Sequence, residues 1–414
     1  MNRPLSQKIT PQQLAAIDQD IKSATGMPNA AYTDPEFFVF ERDHVLGSSW
    51  AALMFCVDYK EDNTVTPIEF MGLPLIVIKT KQGKNQPRNQ HGNQPGNQPG
   101  SIKVFHNVCS HRGRKLVSEQ KKTNGMMVCP YHCWTYDLNG KLCATPHIGG
   151  IGIHQAEGFH PQNNGLKEIR SHIWLGVLFI NLSGDAPEFT DYARPMLERY
   201  HGLVGEHGFD QIEYADTHGQ ITFSINCNWK LAMENFCEAY HLPWIHPSLN
   251  AYSPLQKHHH LFISEDFAGQ RSTSFDPSIT GCESFPGFNH WPEDQAGCAE
   301  YPAFYPNLMF GFQENHLFIL IVHPIDIDKT DEDARLIYVN HEAANGGKFE
   351  SARIANHDAW KKVFSEDVTA VEGLQQGRRS SGYSGGVFSP VQDAPTLHFH
   401  QWIARKYRAG YKRQ

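Results

Sequence analysis

The pattern of apolar and polar positions changes character twice along the 414-residue chain. Residues 11–23, behind the cap-like Thr10, follow a short helical pattern, and a Pro-rich junction and the stretch 34–50 come next. From Trp50 to about Gly150, short β-type runs such as 74–79 (PLIVIK) and 102–108 alternate with Gly, Asn and Pro turns, the pattern of a small all-β unit. Within it, residues 85–100 read NQPR, NQHG, NQPG, NQPG. Polar turn formers in such a run cannot build a core, so they predict a mobile insertion at a hairpin tip that leaves the flanking strands free to pair. From about Gly165 the runs lengthen. Strands are predicted at 174–181, 220–227 and 316–323, and helices at 192–200, 229–240 and 357–376. This mixture implies an α+β domain in which an antiparallel sheet grips a long helix, with a pocket between them. The expected division is a helical segment over 1–45 that packs on the last domain, a β domain over 46–160, and the α+β domain over 161–414.

Composition narrows the function classes. With 40% apolar and 19% charged residues the chain has material for two cored domains. A formal charge of -8 gathers neither nucleic acid nor anionic lipid. No run reaches the roughly eighteen apolar residues of a membrane helix, and the opening MNRPLSQKIT has no apolar signal core. A cytoplasmic protein with no membrane or nucleic-acid partner is therefore expected. Nine cysteines, an odd and scattered set, suit metal ligation better than a disulfide framework. The 24 histidines also permit chance pairs, so spacing must decide.

Two constellations have such spacing. Cys109-x-His111 and, seventeen residues on, Cys129-x-x-His132 form two knuckles, each with one thiolate and one imidazole. Zinc accepts two Cys and two His, but zinc fingers group like ligands together. A Rieske [2Fe-2S] centre needs two Cys on one iron and two His on the other, which mixed knuckles supply. The second constellation lies in 228–247, NWKLAMENFCEAYHLPWIHP. If the helix runs to Tyr240, Glu238 and His241 share a face, and Pro243 then breaks the helix so that a turn can bring His246 beside His241. Two His and one carboxylate are the facial triad of non-heme Fe(II) oxygenases.

The flanks Cys109-x-His111-Arg112-Gly113 and Cys129-x-Tyr131-His132-x-Trp134, with the frame N-W-K-x-x-x-E-N-x-x-E-x-Y-H-x₄-H, resemble the Rieske non-heme iron oxygenase α subunits. The likeness runs from YTDPE at 32–36, through VEGLQQG at 371–377, to His400. It implies an oxygenase carrying a Rieske [2Fe-2S] cluster on Cys109, His111, Cys129 and His132, and a mononuclear Fe(II) on His241, His246 and a distal aspartate. For that aspartate it points to Asp367 in SEDVTAVE at 365–372, at the start of a helix, with Glu366 as runner-up and a simple helix cap as the plain alternative. It further implies that Glu238 links His241 to His132 of a neighbouring subunit, hence a homotrimer. No nucleotide fingerprint occurs, so NAD(P)H-derived electrons would come from a separate flavin or ferredoxin reductase.

Most aromatic-ring members carry aspartate where this chain has Glu238, and the glutamate is similar to the branch acting on quaternary ammonium compounds, in which a small substrate is hydroxylated or N-demethylated with O2. Trp244, Tyr301, Tyr305, Phe310 and Phe312 are candidate cation-binding aromatics, though each is more ordinarily a core residue. The rivals are an aromatic-acid oxygenase, marked by a pocket arginine, and a Rieske electron carrier without a second iron. Elsewhere, Cys133 and Cys143 are expected as buried thiols and Cys237 as a small buried residue beside the site. Glu234 is expected to be structural, His258–His260 a surface loop, and His398 and His400 neighbours on one face of a strand.

Overall fold

The computed structural model describes residues 4–59, 61–80, 102–276 and 284–413. The polar insertion expected at 85–100 lies outside them. The chain forms two compact units, one spanning the described residues from Leu53 to Gly184, the other those up to Ala52 and from Asp185 onward.

The first unit is all β. Its larger sheet has the order Ala51–Phe55, Val177–Asn181, Glu168–Trp174, Ile102–His106, Leu73–Lys79, Thr64–Phe70, Lys121–Lys122. The single strand predicted over 174–181 is instead a hairpin in which Trp174 faces Val177. Leu175 (φ 48°) and Gly176 (φ 76°) form its two-residue loop. Both lie in the left-handed region, as a type I′ turn requires, and a leucine there gives no turn signal in sequence. This hairpin completes the β unit's sheet rather than starting the α+β domain. Met71 and Gly72 make the same turn between Phe70 and Leu73. A small sheet of Met126–Val128, Thr135–Asp137 and Leu142–Ala144 packs with it around a core of Ile76, Phe105, Trp134 and Tyr136 that also buries Cys109 and Cys129.

The second unit is the α+β domain. Its antiparallel sheet runs Ile212–Tyr214, Lys329–Val339, His316–Asp326, Leu308–Gln313, Ala299–Phe304, Phe267–Ser272, His258–Ser264, and Gln220–Ile225 also pairs with Lys329–Val339. Leu308–Gln313 is buried at every position, consistent with a central strand covered on both faces. The predicted helix at 357–376 is the middle of Glu350–Arg378, whose buried face runs Arg353, Asn356, Trp360, Phe364, Val371, Gln375, Arg378 at steps of three, four and seven. His258–His260 begin an edge strand rather than a surface loop. His398 and His400 lie in the C-terminal helix Ala394–Tyr411 rather than in a strand. Their alternation suggests a period of two where 3.6 applies. Helix Pro11–Ile17, shorter than the predicted 11–23, is opened by a reciprocal cap between Thr10 and Gln13.

Helix Trp229–Cys237 is held by buried charge. Lys230 Nζ donates to Glu41 Oε1 at 2.6 Å, and neither side chain is exposed. Trp229 Nε1 and the Tyr407 hydroxyl complete the shell of the Glu41 carboxylate at 2.8 and 2.5 Å. One turn on, Glu234 accepts from the Tyr32 hydroxyl at 2.5 Å and faces Arg378 at 3.4 Å and His400 at 3.2 Å. Burial pushes the Glu234 carboxyl up, but His400, Arg378 and Tyr32 outweigh that and hold it below the usual value. The structural role expected of Glu234 is therefore met.

Lys230→Met should leave the Glu41 carboxylate buried without its cation. A loss of about 3–5 kcal/mol is expected for one broken partner of a buried pair, and Glu41→Gln added to Lys230→Met should recover a large part of it. Denaturant unfolding of the single and double variants measures both.

Candidate active site

In the β unit, two turns of like construction present the Cys/His pairs. Cys109 N–H donates to Arg114 O and Gly113 N–H to Cys109 O. Cys129 N–H donates to Trp134 O and Cys133 N–H to Cys129 O. Gly113 (φ 73°) and Cys133 (φ 56°) hold the equivalent left-handed positions. Position in the turn thus explains Cys133, which is exposed, as is Cys143; neither is the buried thiol expected. The turns bury both sulfurs, Cys109 at 2% and Cys129 at 1% exposure. The imidazoles of His111 and His132 stand 4.8 Å apart, and the former stacks on Trp134 at 4.6 Å. His132 Nδ1 is buried with no hydrogen-bond partner. Two reduced buried thiols and an orphaned imidazole nitrogen are the donor set a Rieske [2Fe-2S] cluster would take. Tyr136 places its hydroxyl 3.2 Å from Cys109 Sγ, and burial, with Cys109 beside it, pushes that hydroxyl up to about 12.

In the α+β unit the predicted geometry is altered but the convergence stands. The helix ends at Cys237, not Tyr240, and Glu238 is extended (φ −126°, ψ 161°). Gln270 Nε2, from the sheet, donates to Cys237 O at 2.9 Å and satisfies a terminal carbonyl. Pro243 opens a new short helix, Leu242–Ile245, instead of ending the first. Glu238 and His241 therefore meet through a turn. Glu238 Oε2 accepts from the backbone N–H of Tyr240 and of His241, and Oε1 lies 2.5 Å from His241 Nδ1.

His241, His246 and Asp367 bring one donor atom each within 4.8 Å of one another. His246 Nε2 is 2.9 Å and His241 Nε2 3.7 Å from Asp367 Oδ1. His246 Nδ1 lies 2.9 Å from Glu366, so each imidazole has a carboxylate behind it and turns its other nitrogen toward Asp367. Asn235 Nδ2 steadies Asp367 from 2.7 Å. Asp367 sits in the interior of Glu350–Arg378, half-buried between Phe364 and Val371 on the same face. Both the helix start expected there and the simple cap are set aside. Glu366 emerges as the group behind His246 rather than the ligand. Burial acts to lower the His246 pKa, but its bonds to Asp367 and Glu366 outweigh this and raise it. Two imidazoles and one carboxylate, each imidazole backed by a second acid, suit a divalent iron.

These groups open into a cavity between sheet and helices, with Phe236, Tyr301, Phe318, Trp360 and Phe364 among its walls and His258 and Gln270 as polar members. No arginine or lysine is among its lining residues. Of the candidate aromatics only Tyr301 lines it; Trp244 is 69% exposed, and Tyr305, Phe310 and Phe312 belong to the core. Trp360 is fixed by donating Nε1–H to His316 Nε2 at 3.1 Å. Burial, then the charge of Asp367, push the Glu332 carboxyl up to about 8. Cys237 is buried beside the site, as expected. Trp360 and Phe364 were within reach of sequence, since they precede Asp367 by seven and three residues on a predicted helix. Gln270 was not, because it reaches the cavity through pairing with Tyr301 across two strands.

Comparison with known proteins agrees. Residues 49–155 match the Rieske [2Fe-2S] domain, and residues 212–409 match the ring hydroxylating alpha subunit (catalytic domain). The chain is 25% identical to the carnitine monooxygenase oxygenase subunit of Acinetobacter baumannii over 86% of each chain. It is also 25% identical to the chloroplastic choline monooxygenase of Arabidopsis thaliana, over 92% of this chain and 82% of that protein. A solved quaternary ammonium Rieske monooxygenase superposes with a TM-score of 0.71 at 20% identity, covering 94% of this chain and 97% of that one.

Asp367→Ala is expected to abolish binding of Fe(II) at this centre, while Glu366→Gln, which only loosens His246, should weaken it roughly 10- to 100-fold. Fe(II) titration of apoprotein followed by metal analysis distinguishes the two outcomes.

Proposed function

The chain belongs to the Rieske non-heme iron oxygenases as an oxygenase α subunit, and we propose that its substrate is a quaternary ammonium compound, hydroxylated beside nitrogen or N-demethylated. The observation that carries this reading is the cavity itself. The aromatic side chains of Tyr301, Phe318, Trp360 and Phe364 line a site that also holds the carboxylates of Glu238 and Asp367, with no arginine or lysine among its described lining residues. Such a surface attracts a cation, and among the described residues that line it there is no arginine of the kind an aromatic-acid oxygenase would use. The relatives named for carnitine and choline oxidation support the same class.

In this assignment Cys109, His111, Cys129 and His132 hold the [2Fe-2S] cluster, and His241, His246 and Asp367 hold the mononuclear Fe(II). When bound, these groups pass single electrons and activate O2 for insertion into a C–H bond. The chain's own residues set the conditions. Glu238 and Glu366 fix the two imidazoles, Asn235 fixes Asp367, and the aromatic walls exclude water and orient the cation. Tyr136 donates toward Cys109 sulfur, which favours the more negative, reduced cluster. Electrons come from an NAD(P)H-dependent reductase, consistent with a cytoplasmic setting. Glu238 links His241 to His132 of an adjacent copy in a homotrimer. Its two oxygens offer about four lone-pair sites, and three N–H donors take part of that capacity from within the chain.

With a reductase supplying electrons, trimethylammonium compounds are expected to raise O2 and NADH consumption with product formed, and benzoates are not; coupled turnover of benzoates alone would overturn the substrate class. Glu238→Gln, loaded with Fe(II) in excess to offset the loosened His241, should hold both metals and a reducible cluster yet lower turnover roughly 10- to 100-fold. Iron analysis, cluster spectra and single-turnover product yield read these separately.

A further inference from the structure

His258 lines the same cavity from the first position of strand His258–Ser264, opposite Ser272. Its hydrogen bonds fix which ring nitrogen carries the proton. The Ser272 hydroxyl donates to Ser274 O at 2.8 Å, so it must accept from the Ser253 hydroxyl, also at 2.8 Å. With its own proton committed, Ser253 Oγ can only accept from His258 Nε2, 3.0 Å away, and Ser253 O accepts from the same nitrogen at 3.2 Å. Ser253 and Ser272 are fully buried, so no solvent competes for these bonds. Nε2 therefore holds the hydrogen and Nδ1 is left as a bare acceptor. Nδ1 is buried and has no hydrogen-bond partner among the described residues. Burial also drives the imidazole pKa down to about 4, so the ring stays neutral.

An unmet acceptor on a residue that lines a cavity discriminates by donor content. A substrate hydroxyl satisfies it, a methyl group leaves it unmet, and a carboxylate sets lone pair against lone pair. We infer that His258 is a specificity-determining residue that accepts a hydrogen bond from a substrate hydroxyl, selecting a hydroxylated trimethylammonium cation over a zwitterion carrying a carboxylate. The inference rests on the reading of the cavity as a trimethylammonium site and narrows it.

The test uses the full chain loaded with cluster and Fe(II), and calorimetric dissociation constants for three probes: (2-hydroxyethyl)trimethylammonium, its isostere n-propyltrimethylammonium, and carboxymethyl-trimethylammonium. The hydroxyl compound should bind roughly ten- to a hundredfold tighter than the propyl compound, with the carboxylate weakest. In His258→Leu the hydroxyl-to-propyl ratio should fall toward one, and His258→Asn, which returns an acceptor oxygen, should restore part of it. Iron content and melting temperature establish that both variants are folded. Equal binding of the hydroxyl and propyl compounds, a ratio that survives in His258→Leu, or tightest binding of the carboxylate would each overturn the role of His258 while leaving a trimethylammonium site in place. Binding of none of the three probes overturns the site itself, and the role of His258 with it.

Discussion

The nine-residue helix Trp229–Cys237 carries a lysine and a glutamate into the interior, Lys230 fully buried and Glu234 at 8% exposure. An unpaired buried charge costs several kcal/mol, so each must find its partner, and the partners come from distant sequence. Glu41 lies in the N-terminal helix Pro35–Glu41, Arg378 ends the long helix, and His400 and Tyr407 lie in the C-terminal helix. The N-terminal segment, the long helix and the C-terminal helix are thus tied to one short helix by electrostatic need. That helix also carries Asn235, which steadies Asp367, and its end releases the turn that aims His241. The metal site inherits its geometry from charges that never touch it.

The same logic recurs at the donors. An imidazole free to spin about χ2 is a poor ligand because its lone pair is not aimed. Glu238 on His241 and Glu366 on His246 each hold Nδ1 and so turn Nε2 toward Asp367. Together with Asp367 these make three acids around a position suited to a divalent cation, so the metal-bound site keeps negative character unless a further proton enters. Burial and the charge of Asp367 push the Glu332 carboxyl up, toward its neutral form, which limits the charge it adds. A cavity so balanced, with aromatic walls, favours a cation over an anion.

The metal-ligating residue types were legible in sequence because thiolates and imidazoles at fixed short spacing converge on one point, where few demands besides metal binding would place them. The α+β architecture was legible from period and run length. Less so was anything set by local backbone choice. Helix Trp229–Cys237 stops three residues before Tyr240 because Glu238 takes an extended conformation and Gln270 caps the last turn, and Gln270 is distant in sequence. The hairpin at Leu175-Gly176 places a leucine at positive φ, which turn statistics do not foresee. Asp367 carried a usable signal. With Trp360, Phe364 and Val371 it shares one helix face, on which it is the one acid, and a partly buried acid there needs a counter-charge or a metal.

The early end of the helix also gives meaning to a glutamate at 238. On a continuous helix, residues three apart already face each other and a short carboxylate suffices. Here Glu238 leaves the helix on an extended backbone and must reach back around a turn to touch both the His241 backbone and Nδ1. The additional methylene supplies that reach. An aspartate at the same backbone position would satisfy the turn's N–H groups, as Asx turns do, but would leave Nδ1 to water and the imidazole unaimed. The residue that marks the branch in sequence is therefore tied to the local path of the chain. Its length serves the aim of His241 before it serves any choice of substrate.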